Sequence, residues 1–261
     1  MIYPFAFTCK RDWPLFEQLV ESWGRIRPEF FSAYYDPDEE LQDGAVSFIR
    51  RHGVRMERQD RSGYGQWSWD SAMCKLAGWR NMATALDLRD EDHVLHVDSD
   101  TLFHNDEILH HLTGDFMGRL HSPMVHSPLL GREWSWTAGS FQAAKAWAAR
   151  KVAALTPEEV DACKIEMAGV GLTFIDDVVV SFLMAKVGAK EQDLSPFLFE
   201  VDPEAALIHR FYSPRSFSHL NGTWQNFLGS TVAGKHEIPG AVRKWKETRA
   251  LGTIREEKNG L

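Results

Sequence analysis

The chain has little cysteine. Cys9, Cys74 and Cys163 are its only thiols. They are odd in number and lack metal-ligand spacing, which argues against a disulfide framework or a cysteine metal site and points to a reducing cytoplasm. Long apolar runs are missing as well. None approaches the roughly 18 residues that a membrane-spanning helix requires. The N-terminus shows no basic stretch followed by a long apolar core, so no signal peptide is expected. Positive charge is in deficit, with 29 Lys and Arg against 37 Asp and Glu and a formal net charge of −8. That balance argues against nucleic-acid binding driven by backbone electrostatics, and against docking on anionic lipid through a general basic surface. A local basic tail at Arg243, Lys244, Lys246 and Arg249 leaves peripheral contact with the inner membrane face open. The Gly-containing stretch Tyr64-Gly65-Gln66-Trp67-Ser68-Trp69 has neither the Gly-Lys-Ser/Thr nor the GxGxxG pattern, so it is not a phosphate loop.

What is present is a regular alternation of strand-like and helix-like segments. Ile2 to Thr8 reads as a strand, and Asp12 with Pro14 opens a helix whose apolar positions run from Leu15 to Trp23. Phe30 to Tyr35 is a second strand, Leu41 to His52 a helix closed by Gly53, and Val54 to Arg58 a third strand. Ser71 to Leu88 has helical spacing and precedes a strand over Val94 to Val97. This order predicts an α/β fold with a Rossmann-like, mostly parallel sheet flanked by helices. The second half is less regular. Strands are expected over Asp115 to Leu120, Trp134 to Phe141, Phe197 to Val201 and Ala205 to His209. Helices are expected over Phe141 to Leu155, after the Thr156-Pro157-Glu158-Glu159 start, and over Asp176 to Val187. With no repeat or linker, residues 1–261 are read as one domain: a ligand-binding half to about residue 110, a second half to about 230, and a tail.

The most informative stretch is Asp98-Ser99-Asp100. A buried strand that stops at two carboxylates places them at the sheet's carboxyl edge, where open α/β sheets bind ligands. Side chains two apart share a face, so both acids can address one point. Hard oxygen ligands suit Mg²⁺ or Mn²⁺, and such an ion usually completes its shell with substrate phosphates. A histidine at another strand end would favour Mn²⁺. His209, after the apolar run Ala205 to Ile208, is the leading candidate, with His219 as alternative. Asp176 and Asp177 open a helix, where they serve either as caps or as a general base. Arg11 and Lys75 are candidate phosphate contacts, although Lys75, among Ala72, Leu76 and Trp79, suits a stem laid along a helix flank equally well. One of Trp134, Trp136 and Trp224 is a candidate for a sugar-stacking platform, and at least two of the three are expected in the core.

In this order the segments resemble the nucleotide-sugar glycosyltransferases of the GT-A fold, over about residues 2 to 220. Asp98-Ser99-Asp100 matches that superfamily's DxD motif, and the other matches are looser. Phe7 to Trp13 resembles the strand and loop covering the nucleotide base, so Thr8 and Arg11 are implied donor contacts. Asp36 falls where an acid meets the base, and Lys75 where the helix before the metal strand reaches the donor. Trp136 to Phe141 resembles the floor of the acceptor site. Phe174 to Val178 resembles the acidic motif supplying the base in inverting members, with Asp177 first and Asp176 as alternative. Ile208-His209-Arg210 resembles the segment that completes the metal shell. The resemblance implies transfer from a UDP- or GDP-sugar to a glycan, lipid-linked or small-molecule acceptor. Asp98 and Ser99 would contact the donor, and Asp98, Asp100 and His209 would hold Mn²⁺ or Mg²⁺. A sugar-1-phosphate nucleotidyltransferase is a related alternative, though Cys9 to Pro14 lacks the glycine such a loop carries. A non-catalytic nucleotide-sugar or carbohydrate-binding module is another.

Overall fold

A computed structural model describes residues 1–10, 12–26, 31–35, 44–59, 68–99, 101–103, 106–120, 125–199 and 217–219. The first half runs β1 (Ile2–Thr8), α1 (Trp13–Ile26), β2 (Ser32–Tyr35), α2 (Ala45–His52), β3 (Arg55–Arg58), α3 (Trp69–Ala85) and β4 (His93–Val97). The second half adds β5 (Thr101–Phe103), α4 (Glu107–His110), β6 (Phe116–Leu120), β7 (Val125–Ser127), β8 (Arg132–Trp134) and β9 (Thr137–Lys145). It continues through α5 (Ala146–Ala153), α6 (Pro157–Gly169), α7 (Asp176–Lys186), β10 (Glu191–Asp193), β11 (Leu198–Phe199) and β12 (Phe217–His219).

The main sheet has the order β10-β6-β9-β4-β1-β2-β3. Neighbours pair in parallel except at β9, which is antiparallel to both β4 and β6. The mostly parallel sheet read from the sequence is therefore present. Its strands separate two cores by simple alternation. Phe5, Phe7 and Val94 pack toward one face with Trp79 of α3, Val152 of α5 and Phe182 of α7. Ala6, Leu95 and Val97 face the other side, with Phe16, Leu19 and Trp23 of α1. Two of the local punctuation signals hold in detail. Gly53 closes α2 in the left-handed region at φ 61°, and Thr156 with Glu159 forms a reciprocal capping box at the start of α6. Gly78 allows α3 to lie directly on β1, since a Cβ there would stand 2.5 Å from Phe7 Cζ.

One expectation is corrected, and the choice left open at Trp134 is decided. The helix expected from Phe141 begins only at Ala146, because Phe141 to Lys145 is the second half of β9. Alanine-rich composition favours a helix, but antiparallel partners on both sides give these residues a buried central strand, and that tertiary pairing overrides local propensity. Trp134 is no sugar platform. It is buried and packs edge-on against Phe182 at 5.7 Å. Trp136 is half-buried against the same core, and Trp224 lies outside the described residues. The expected strand from Ala205 to His209 also lies outside them. Among the described residues, no helix is long and apolar enough to cross a membrane.

The turn before β4 is tied down by Asp92. Its buried carboxylate accepts hydrogen bonds from the Arg89 guanidinium at 3.0 Å and the Arg89 amide at 2.9 Å, while its carbonyl accepts from Ala146 N. The Arg89 guanidinium holds this carboxyl well below the usual range, against the opposing effect of burial. A carboxyl depressed in the folded state stabilises the fold above its unfolded pKa, near about 4, and that contribution fades as acid protonates it. Asp92→Asn is expected to lose about 1–3 kcal/mol in urea denaturation at pH 7. The gap to the parent should close as pH falls below about 4.

Candidate active site

Side chains from α3, α7 and β4 and the main chain of β9 meet at one place at the carboxyl edge of β4. Ser68 caps α3 by accepting from Ser71 N at 3.1 Å, which sets the helix that carries Lys75. Lys75 does not run its stem along an exposed flank. It is 2% exposed, with Nζ 2.8 Å from Asp177 Oδ1 and 3.4 Å from Asp176 Oδ2. Asp177 accepts a second hydrogen bond, from Gly139 N of β9 to Oδ2 at 2.7 Å. The Gly139 carbonyl lies 3.1 Å from Nδ1 of His96 on β4. A carbonyl only accepts, so Nδ1 carries the proton. One buried ammonium thus joins α3 to the first turn of α7, and the acid it meets is braced against β9.

The electrostatics follow from this packing. Burial alone would discharge the Lys75 amine. Asp176, Asp177 and Asp98 outweigh that effect and raise its pKa, so the ammonium is kept. Burial, then the nearby Lys75 charge, push His96 well below the ordinary imidazole value despite the contact with Gly139 O, and the ring is neutral. Three carboxylates, of Asp176, Asp177 and Asp98, thus act on one buried ammonium.

The residues expected from the sequence divide clearly. Lys75, Asp176 and Asp177 form one ion-paired cluster, and Asp98 acts on it through its charge. Capping does not account for Asp177, because its oxygens go to Lys75 and Gly139 rather than to the amides of α7. Asp98 opens a tight turn in which its carbonyl accepts from Thr101 N at 3.2 Å and Thr101 Oγ1 at 2.7 Å, and Ser99 is buried within that turn. Thr8 ends β1, fully buried, and its hydroxyl finds no partner among the described residues. Arg11, Asp36, Asp100 and His209 lie outside the described residues. His219 is placed by its backbone: β12 runs antiparallel to β5 with His219 opposite Thr101, one position beyond Asp100. No cluster of three or more His, Cys, Asp or Glu suited to a metal occurs among the described residues. The sequence reading did not single out the main-chain groups of Gly139. Glycine between Ala138 and Ser140, in a stretch already singled out, was the available signal.

Solved structures share this architecture. The chain matches the galactosyltransferase LgtC, solved in complex with donor and acceptor sugar analogues, with a TM-score of 0.60 over 94% of this chain and 96% of LgtC at 12% identity. GlyE, a glycosyltransferase of Streptococcus pneumoniae, matches with a TM-score of 0.53 over 95% of this chain and 65% of its own at 11% identity. Mouse xyloside xylosyltransferase 1 matches with 0.51, over 85% and 98%, at 10% identity. The fold is that of the GT-A glycosyltransferases. At these identities the likeness is one of fold, and no protein-family model and no curated protein matches the sequence.

A Cβ on Gly139 would collide with the Asp177 carboxylate and stand 2.8 Å from Lys75 Nζ. Gly139→Ala is therefore expected to separate Asp177 from Lys75. It should lower stability by about 1–3 kcal/mol by thermal or chemical denaturation, as overpacking does elsewhere.

Proposed function

We propose that this protein is a metal-dependent glycosyltransferase that moves a sugar from a UDP- or GDP-sugar to an acceptor hydroxyl. The observation that carries the reading is the gathering of Asp98, Asp176 and Asp177 around buried Lys75, at the carboxyl edge of a GT-A sheet. A nucleoside diphosphate is itself anionic, so a divalent cation beside these acids would favour its binding. Asp98 and Asp100, with a histidine, would hold Mn²⁺ or Mg²⁺. The register of β12 favours His219 over His209 for that place. Such an ion supplies Lewis-acid charge neutralisation as the diphosphate leaves, a contribution of several kcal/mol to the transition state.

The chain's own groups do the rest. The buried Thr8 hydroxyl, which finds no partner among the described residues, suits the donor's nucleotide at the end of β1, with Arg11, Asp36 and Ser99 assigned to the same half. Lys75 orients the sugar side of the donor, and glycan, lipid-linked or small-molecule acceptors approach from the second half of the chain. The setting is taken to be cytoplasmic. Asp177, or Asp176 beside it, acting as general base toward the acceptor hydroxyl would invert the anomeric centre. A second reading rests on a specific observation: both Asp177 oxygens already accept hydrogen bonds, one from an ammonium. In that case Asp177 fixes Lys75 against the donor and inversion does not follow.

Incubation with a panel of UDP- and GDP-sugars in Mn²⁺ is expected to release the nucleoside diphosphate, with turnover abolished by EDTA and restored by Mn²⁺. Asp98→Asn should reduce turnover by about 10²-fold or more. Proton NMR of the first product separates the two roles of Asp177, since an inverted anomer supports the base and a retained anomer the positioning role. Release of pyrophosphate from a nucleoside triphosphate and a sugar 1-phosphate would instead establish nucleotidyl transfer. Donor binding without turnover would establish a non-catalytic module.

A further inference from the structure

The pairing of β9 with β4 begins at Phe141, opposite Val97. Upstream of that point, several main-chain groups of β9 are held by side chains, from α7, from β4 and from β9 itself. Thr137 N–H donates to Ser181 Oγ at 3.0 Å, and the Thr137 carbonyl accepts from Gln142 Nε2 at 3.1 Å. The side chains of these three residues continue the contacts. Gln142 Nε2 lies 2.9 Å from Thr137 Oγ1, Thr137 Oγ1 lies 3.2 Å from Ser181 Oγ, and Ser181 Oγ donates to the Asp177 carbonyl at 2.6 Å. Gln142, Thr137 and Ser181 are all fully buried.

The ends of this chain fix its direction. An amide nitrogen only donates and a peptide carbonyl only accepts. Gln142 must present Nε2 to Thr137, because its oxygen would face the Thr137 carbonyl without a proton between them. Ser181 commits its proton to Asp177 O, so Thr137 is the donor in the contact between the two hydroxyls. The proton order is then single-valued: Gln142 to Thr137, Thr137 to Ser181, Ser181 to Asp177. A serine bonding back to the fourth residue before it is a common helix habit. That habit explains the last bond alone. It does not explain a threonine on another strand, in a core where valine has the same shape and carries no polar atom to satisfy. What the relay accomplishes is to tie the first turn of α7 to β9 at the level of Asp177, where Gly139 N and Lys75 Nζ meet the carboxylate.

We propose that Thr137, acting with Gln142 and Ser181, is a positioning residue that holds the Asp177 carboxylate in register with Gly139 and Lys75 for sugar transfer. The proposal rests on the glycosyltransferase reading for its consequence, but its geometry can be tested without it.

Thr137→Val and Thr137→Ser separate the hydroxyl from the packing of the Thr137 side chain against Gly118. Crystal structures of both variants are compared with turnover of the UDP- or GDP-sugar that the parent accepts. In Thr137→Val the Asp177 Oδ2 to Gly139 N contact of 2.7 Å is expected to open beyond hydrogen-bond range. Its kcat should fall about 10- to 10²-fold, as for other small misplacements, with donor KM changed less than about twofold. Thr137→Ser should keep the contact and most of the turnover. Should Thr137→Val not fold, Ser181→Ala is expected to produce the same displacement and the same loss in kcat. The proposal is overturned if the valine variant keeps both the contact and its kcat, or if the serine variant loses as much as the valine variant. Absence of turnover in the parent with every nucleotide sugar would sink the functional reading instead, and the crystallographic distances would then decide the relay by themselves.

Discussion

The site depends on one buried charge. An isolated ammonium in a protein interior costs so much that it would lose its proton. Lys75 keeps its proton because α7 begins with two aspartates and β4 ends with a third. The same pairing joins α3 to α7 and gathers three acids at the carboxyl edge of the sheet. Removing one partner of a buried pair is far more disruptive than never having built it, so Lys75, Asp176 and Asp177 stand or fall together.

That charge pair is placed by β9, which runs antiparallel to both of its neighbours in the main sheet. In its second half β9 is an ordinary central strand, flanked by β4 and β6. In its first half it offers main-chain groups to Asp177, Ser181, Gln142 and His96. Buried backbone groups must be bonded to something. Here the requirement is met by side chains that also define the site, so the local demand for hydrogen bonds and the geometry of the acids are a single constraint. Gly139 sits at the junction because any side chain there would occupy the space of the carboxylate it holds.

The sequence made the first half legible. Strands over Ile2 to Thr8 and Val94 to Val97 and the helix closed by Gly53 follow from period, caps and composition, as does the later helix opened by Thr156. It could not show that Phe141 to Lys145 is a strand, because what decides this is pairing with β4 and β6, which are distant in sequence. It presented Lys75 as a residue on an amphipathic flank, and only the approach of α7 makes that position buried. It weighed His209 above His219 from the apolar run before the former. The placement of His219 opposite Thr101 comes from an antiparallel pairing across more than a hundred residues that no local pattern encodes.

The central claim is that the acids around Lys75 admit a nucleoside diphosphate only in the company of a divalent cation. Calorimetric titration of UDP and of GDP into the intact protein, with and without Mn²⁺, tests it most directly. The account predicts that one of the two nucleotides binds in Mn²⁺ and that this binding disappears when the metal is withheld. Equal affinity with and without the metal, or no binding of either nucleotide in its presence, would contradict it.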